Sequence, residues 1–236
     1  MKKLFSDEEI NLSSYQLRTE QKQHTSVDLS NRSIILLARG EKENKSVSIS
    51  EFEEHFHIAY YKTLRFASPL LEKKIRQRLT KAKQDGEIET KRRWLGAYYA
   101  PFLRHGYIAP IAVQFVDEHV GYGVFAMREL EKNDYIGEYT GLVMQHGLFA
   151  NTINDYSFTY PLPSFLPSRI TINSLYGGNE MRLLNHSDDP NCEAIGVLFD
   201  GILRIIIKSL RYIPKGEQLT YNYGDVYWRR RTKLPL

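Results

Sequence analysis

The chain has 236 residues, 42% of them hydrophobic and 25% charged, an ordinary globular composition long enough to bury a sizeable core. Its single cysteine, Cys192, excludes an intrachain disulfide framework and any multi-cysteine zinc cluster. The net charge of +4 hides opposed blocks: residues 62–107 carry 12 basic and 4 acidic side chains, whereas residues 108–228 carry 8 and 14. No apolar run approaches the ~20 residues of a membrane span. The two lysines at Lys2 and Lys3 have no apolar stretch behind them, so a secretory signal is not expected.

Residues 1–33 are polar and without period, and read as a loose arm. Ile34–Ala38 is a short strand or core segment, followed by a turn over residues 39–45. Ser50 and Glu53 form a capping box, which predicts a helix over about 51–64. His55 and His57 lie inside it, two apart on a helix and so pointing in different directions, which argues against a metal site. Ser68-Pro69 opens a second helix. Its apolar stripe is Leu71, Ile75, Leu79 and Ala82, and it stops at Asp85-Gly86. A shorter helix is expected over 87–98, and Pro101–Pro110 reads as a junction. The basic block 62–107 faces solvent, the common fate of charged helix faces, or makes weak nucleic-acid contact, although no recognisable binding motif accompanies it.

After Pro110 the pattern becomes one of short strands: Ile111–Val116, Val124–Met127, Tyr135–Met144, Tyr156–Tyr160, Arg169–Asn173, Glu193–Phe199, Ile202–Lys208 and Leu219–Tyr223. Asp200-Gly201 is the best two-residue hairpin turn in the chain, and Pro214–Glu217 marks another turn. The expectation is an α+β protein with a helical N-terminal module over 1–110, a mainly β catalytic domain over 111–225, and a short basic aromatic flank over 226–236. No Gly-x-Gly-x-x-Gly follows a strand, so a dinucleotide-binding unit finds no support.

Three segments carry candidate chemistry. Gly121-Tyr122-Gly123 precedes a strand, and alone it is the pattern of a tight turn. Arg182-Leu-Leu-Asn185-His186-Ser187-Asp-Asp-Pro190-Asn191 alone is the pattern of a surface loop. Thirty residues on comes Gly216-Glu-Gln-Leu-Thr-Tyr221-Asn-Tyr223-Gly224. In this order and spacing they resemble the signatures of SET-domain protein-lysine methyltransferases, Arg-x-x-Asn-His-Ser-x-x-Pro-Asn and Gly-Glu-x-Leu-x-Tyr-x-Tyr-Gly. Gly137-Glu-Tyr139-Thr-Gly141 is similar to a further family segment.

The resemblance implies small curved β-sheets whose C-terminal segment threads under the Asn-His-Ser loop as a pseudoknot. It implies S-adenosyl-L-methionine as methyl donor, held by Gly121, Tyr122, Gly123, Tyr156, Arg182, Asn185, His186, Tyr223 and Trp228. It implies Tyr223 as the main catalytic group, Tyr221 at the position that sets how many methyl groups are added, and Tyr139 along the lysine channel. Without the resemblance, Tyr139 is an ordinary strand aromatic and Trp228 a core side chain. Asp188 stands where many members have a zinc-binding cysteine, so no metal is expected, and Tyr227 and Trp228 are the groups expected to close the site. The implied substrate is a lysine of a basic protein, a histone or histone-like protein, attracted by the acidic block. A tyrosine at 221 implies low methylation states. Lacking cysteine-rich flanks, the chain resembles bacterial or viral members; the implied address is the cytoplasm or nucleoid, or a host nucleus for a secreted bacterial effector. Two other readings stay open: a catalytically silent SET fold that binds, and a nucleic-acid-associated protein using 62–107 and Arg229–Lys233.

Overall fold

The computed structural model describes residues 32–146, 154–163 and 169–228. The expected arm over 1–33, apart from its last two residues, and the basic tail from Arg229 lie outside the described residues. Strand β1 (Ser33–Leu37) pairs antiparallel with β2 (Lys45–Ser48) and parallel with β5 (Ile111–Asp117). The N-terminal third therefore supplies strands as well as helices, and no unit boundary falls at 110: the described residues from Ser33 on belong to one compact unit.

Helix α1 (Ile49–Phe56) begins two residues earlier than the Ser50–Glu53 box predicts, because β2 pairing runs to Ser48 and makes Ser48 the cap. Ser48 Oγ accepts from Glu51 N, and the Glu51 carboxylate accepts from Ser48 N at 2.7 Å. Glu53 is used elsewhere, its carboxylate accepting from Tyr60 N at 2.6 Å. The helix stops at Phe56 rather than 64 because His57 turns left-handed (φ 52°) and its N–H caps the last turn. Strands β3 (Ala59–Tyr60) and β4 (Arg65–Phe66) follow.

Helix α2 (Pro69–Gln84) matches its expectation. Ser68 Oγ accepts from Leu71 N at 3.2 Å, and Leu71, Ile75, Leu79 and Ala82 are buried. Each such side chain contributes roughly 1.5–3 kcal/mol on burial. Its bases are mostly solvated, though Arg76 binds Glu72 and Asp200 O. Helix α3 (Thr90–Tyr98) begins three residues later than expected. The presumed junction after it is a packed element, α4 (Ala100–His105): Pro101 occupies a first-turn position where its missing N–H costs nothing. Phe102 stacks on Tyr135 at 5.1 Å within a second apolar cluster that includes Leu95, Leu103 and Ile206.

The six-stranded sheet runs β12-β15-β6-β5-β1-β2, with β6 at Gly121–Ala126, β12 at Asn185–His186 and β15 at Gln218–Tyr221. The expected single strand Tyr135–Met144 breaks at Thr140 into β7 (Tyr135–Tyr139) and β8 (Leu142–Gln145), which enter different sheets. The Thr140 hydroxyl donates to Tyr61 O at 2.8 Å, tying the break to the N-terminal segment. β8 joins β4, β9 (Ser157–Thr159) and β10 (Ile170–Asn173), while β7 joins β13 (Cys192–Phe199) and β14 (Ile202–Ser209). The β13–β14 hairpin turns through Asp200 (φ 50°) and Gly201 (φ 72°), the two left-handed residues that a twisted hairpin prefers. A two-residue strand, β11 (Gly177–Gly178), pairs parallel with β3. The whole is an α+β fold of small sheets.

Candidate active site

The loop that carries Arg182, Asn185 and His186 is anchored before it becomes polar. A 3-10 turn over Glu180–Leu183 is capped by Asn179, whose Oδ1 accepts from Met181 N at 3.2 Å. Met181, Leu183 and Leu184 are buried beneath it. β15 then runs parallel to β12, pairing Asn185 with Thr220 and His186 with Tyr221, while its other edge pairs with β6. The C-terminal segment is thus held between two strands that precede it in the chain, as the threaded arrangement requires. Asn191, 2% exposed, clasps it: Nδ2 donates to Glu217 Oε1 and Gln218 O at 2.7 Å each, and Oδ1 accepts from Thr220 N at 2.9 Å.

A cavity of about 1030 Å³ opens beside this crossing. Of the residues singled out in the sequence, Gly121, Tyr122, Tyr156, Arg182, Asn185, His186, Tyr223 and Trp228 all line it. Gly123 does not, and its reason is close packing: a Cβ there would stand 2.4 Å from Gln218 Nε2 and 3.1 Å from Asn185 Nδ2. Asn185 Nδ2 donates to Tyr122 O at 3.1 Å, linking the glycine-flanked segment to the loop. The Arg182 guanidinium stacks on the Tyr156 ring at 3.8 Å and donates through Nε to Ser174 O at 2.9 Å. His186 Nδ1 accepts from Tyr223 N at 3.1 Å, and Nε2 lies 3.2 Å from Asp188 Oδ1. Trp228 packs edge-on against His186 at 4.9 Å.

Tyr139 and Tyr221 are not in that cavity wall. They lie behind it in a run of rings: Tyr139 to Phe158 at 4.6 Å, Phe158 stacked on Tyr221 at 5.6 Å, and Tyr221 to Tyr223 at 4.9 Å. Tyr223 belongs to both groups. Its hydroxyl donates to Leu184 O at 2.8 Å, and burial, with the neighbouring Tyr227, holds its pKa far above the ordinary 10.0. Burial raises Tyr221 and Tyr139 likewise. All three are neutral hydroxyls at physiological pH.

Phe56, Asp117, His119 and Asp155 also line the cavity, and none was singled out from the sequence as a site residue. Phe158, in the run of rings, has a sequence signal in its alternation with Tyr156 and Tyr160. Asn191 stood inside the loop motif without a role. Among the described residues no group of three or more His, Cys, Asp or Glu side chains is arranged to hold a metal ion, and Asp188 is turned to His186.

The chain matches the SET domain family over residues 121–224, which include the Asn-His-Ser loop and the crossing. It is 36% identical over 110 residues to the histone-lysine N-methyltransferase MEDEA of Arabidopsis thaliana, covering 44% of this chain and 15% of that protein. It is 33% identical over 112 residues to a putative histone-lysine N-methyltransferase, ASHH4, of the same plant, covering 46% and 32%. It is 35% identical over 119 residues to the histone-lysine N-methyltransferase, H3 lysine-36 specific, of Saccharomyces cerevisiae, covering 49% and 16%. The likeness thus spans no more than a third of these relatives.

Proposed function

We propose that the chain is an S-adenosyl-L-methionine-dependent protein-lysine N-methyltransferase acting on a basic protein, a histone or histone-like protein, and favouring low methylation states. The observation that carries this reading is the double membership of Tyr223, which lines the large cavity on one side and ends the buried run of rings on the other. A methyl donor in the cavity and a lysine among the rings would meet at its hydroxyl.

The donor set of the cavity fits the methyl donor. That molecule presents an ammonium, a carboxylate, a sulfonium and an adenine; the walls offer the carboxylates of Asp117 and Asp155, the guanidinium of Arg182, and the faces of Tyr156, His186 and Trp228. When bound, it supplies a methyl group activated by positive sulfur.

The residues of the chain supply alignment and the handling of a proton. A lysine with a pKa near ~10.4 must shed its proton to attack. Apolar burial against Tyr139, Phe158 and Tyr221 disfavours its charged form. The raised pKa of Tyr223 makes it a poor general base and a good fixed dipole. Because its proton is given to Leu184 O, its oxygen lone pairs are free to accept C–H contacts from a polarised methyl group. Tyr221 beside it supports the preference for few methyl groups by crowding the amine. The acidic balance of residues 108–228, 8 basic against 14 acidic side chains, favours a basic substrate, and the names of the relatives make histones the first choice.

The deciding experiment incubates the full chain with radiolabelled S-adenosyl-L-methionine and core histones, beside Tyr223→Phe. Label on histone with the parent and its loss in the variant supports the reading. Equal labelling removes Tyr223 from the chemistry, and no labelling by the parent favours the silent binding fold.

A further inference from the structure

Helix α1 lies outside the matched residues 121–224, yet it reaches the cavity. Phe56, its last residue, lines the cavity and packs edge-on against the Tyr122 ring, centroids 4.9 Å apart at 76°. His55 Nε2 lies 2.7 Å from the Tyr122 hydroxyl, with the rings perpendicular at 5.4 Å. Phe115 of β5 holds a further side of the same ring at 5.5 Å.

Tyr122 needs this support. It sits between two glycines, the first of them left-handed (φ 76°), where the β5–β6 pairing shifts register between Phe115 and Asp117. Its carbonyl is the partner of Asn185 Nδ2. A ring held by α1 fixes where that carbonyl stands and therefore how the cavity wall meets the Asn-His-Ser loop. Helix α1 is itself immobilised: Ser48 and Glu51 cap its start, His57 stops it, and Phe52 within it is fully buried. The capping box, the left-handed stop and the aromatic clamp all serve to place one turn, Glu53–Phe56, against the cavity.

We propose that the last turn of α1 is a wall of the methyl-donor cavity, with Phe56 in contact with the bound donor and His55 a positioning residue that acts through the Tyr122 hydroxyl. The inference rests on reading that cavity as the S-adenosyl-L-methionine site, and it assigns part of the donor affinity to residues well ahead of the SET segment.

The test is calorimetric binding of S-adenosylhomocysteine, the demethylated product, to the full chain and its variants, with melting temperatures measured in parallel. Phe56→Leu, which keeps an apolar contact with Phe52, and Phe56→Ala are expected to weaken binding by about threefold and tenfold, the worth of an aromatic contact. His55→Ala and Tyr122→Phe are each expected to weaken it by about threefold, and the double variant by less than the product of the two, since the hydrogen bond they share cannot be lost twice. His55→Gln, which restores a group able to bond the hydroxyl, recovers most of the loss. Lys73→Ala, on the exposed face of α2, leaves binding unchanged. In turnover the Phe56 and His55 variants raise KM for the donor and spare kcat. Parent-like affinity in Phe56→Leu and His55→Ala overturns the inference while leaving the site reading intact, as does additivity of His55→Ala with Tyr122→Phe. Failure of the parent to bind overturns the site reading and this inference with it.

Discussion

The backbone N–H of Tyr223 donates to Nδ1 of His186 across 3.1 Å. That bond makes Nδ1 an acceptor, so the ring carries its proton on Nε2 and turns it to Asp188 Oδ1. The loop thereby grips the C-terminal segment at the residue that joins the cavity to the rings, and the same imidazole supports Trp228. Deleting the buried ring is expected to be costly. His186→Ala should lower stability by about 1–3 kcal/mol, the usual cost of a stranded buried donor, and weaken S-adenosylhomocysteine binding by more than about tenfold. Asp188 is 68% exposed, so Asp188→Ala should cost less than about 1 kcal/mol. Urea unfolding and calorimetry of the two variants measure both differences; equal effects would place the grip in the His186–Asp188 contact instead.

Asn191 performs a purely structural task at the same crossing. Its side chain satisfies Gln218 O, Thr220 N and a Glu217 oxygen at once, inside a site that water scarcely reaches. Asn191→Ala strands a buried backbone donor and acceptor, a loss expected at about 2–4 kcal/mol. Asn191→Asp is expected to be worse. It removes the donor and sets a carboxylate beside Glu217, whose own carboxyl is held below its usual range mainly by Arg211. Urea midpoints for the two variants settle the ranking.

The two tyrosines of the crossing separate by readout. Tyr223→Phe keeps its ring contacts with Tyr221 and Trp228 and loses only the hydroxyl bonded to Leu184 O. Its fold and donor affinity should persist, while kcat falls by about 10²–10³, as for loss of one fixed dipole at a reaction centre. Tyr221→Phe should leave binding unchanged and shift the product mass spectrum from monomethyl towards di- and trimethyl-lysine. A parent that already yields mostly trimethyl-lysine would refute the role given to the Tyr221 hydroxyl.

What could be read in the chain was whatever neighbouring residues decide. Helix α2 follows from Ser68, Pro69 and a stripe at Leu71, Ile75, Leu79 and Ala82, all within one element. The Asp200-Gly201 hairpin and the Tyr221–Tyr223 segment are equally local. Where two local signals overlapped, pairing chose between them: Ser48 and Ser50 both head a Ser-x-x-Glu box, and the end of β2 selects Ser48. A proline pattern that reads as a junction opens α4, because Tyr135 supplies a partner for Phe102. Phe56 carries no local mark of a site residue for the same reason: it meets its target, Tyr122, across more than sixty positions of sequence.

Beneath the rings lies a buried ion pair with a pH signature of its own. Glu138, on β7, is 2% exposed, and both of its oxygens accept from Arg204 Nη1 at 3.0–3.2 Å. Burial outweighs the attraction of the arginine and lifts its carboxyl from 4.5 to about 7. Between those two values the folded state holds a proton that the unfolded chain has released. Stability from this group is therefore fully present below about 4.5 and is lost as pH rises towards about 7, each unit being worth about 1.4 kcal/mol at most. Carboxylates with lowered pKa, such as Glu217, pull the other way at lower pH. Glu138→Gln removes the titration while keeping an acceptor for Arg204. The difference in unfolding free energy between parent and Glu138→Gln, measured in urea from pH 5 to pH 8, should move in favour of the variant as pH rises and level off above about 7. A flat difference over that window would mean that Glu138 stays ionised in its pair throughout.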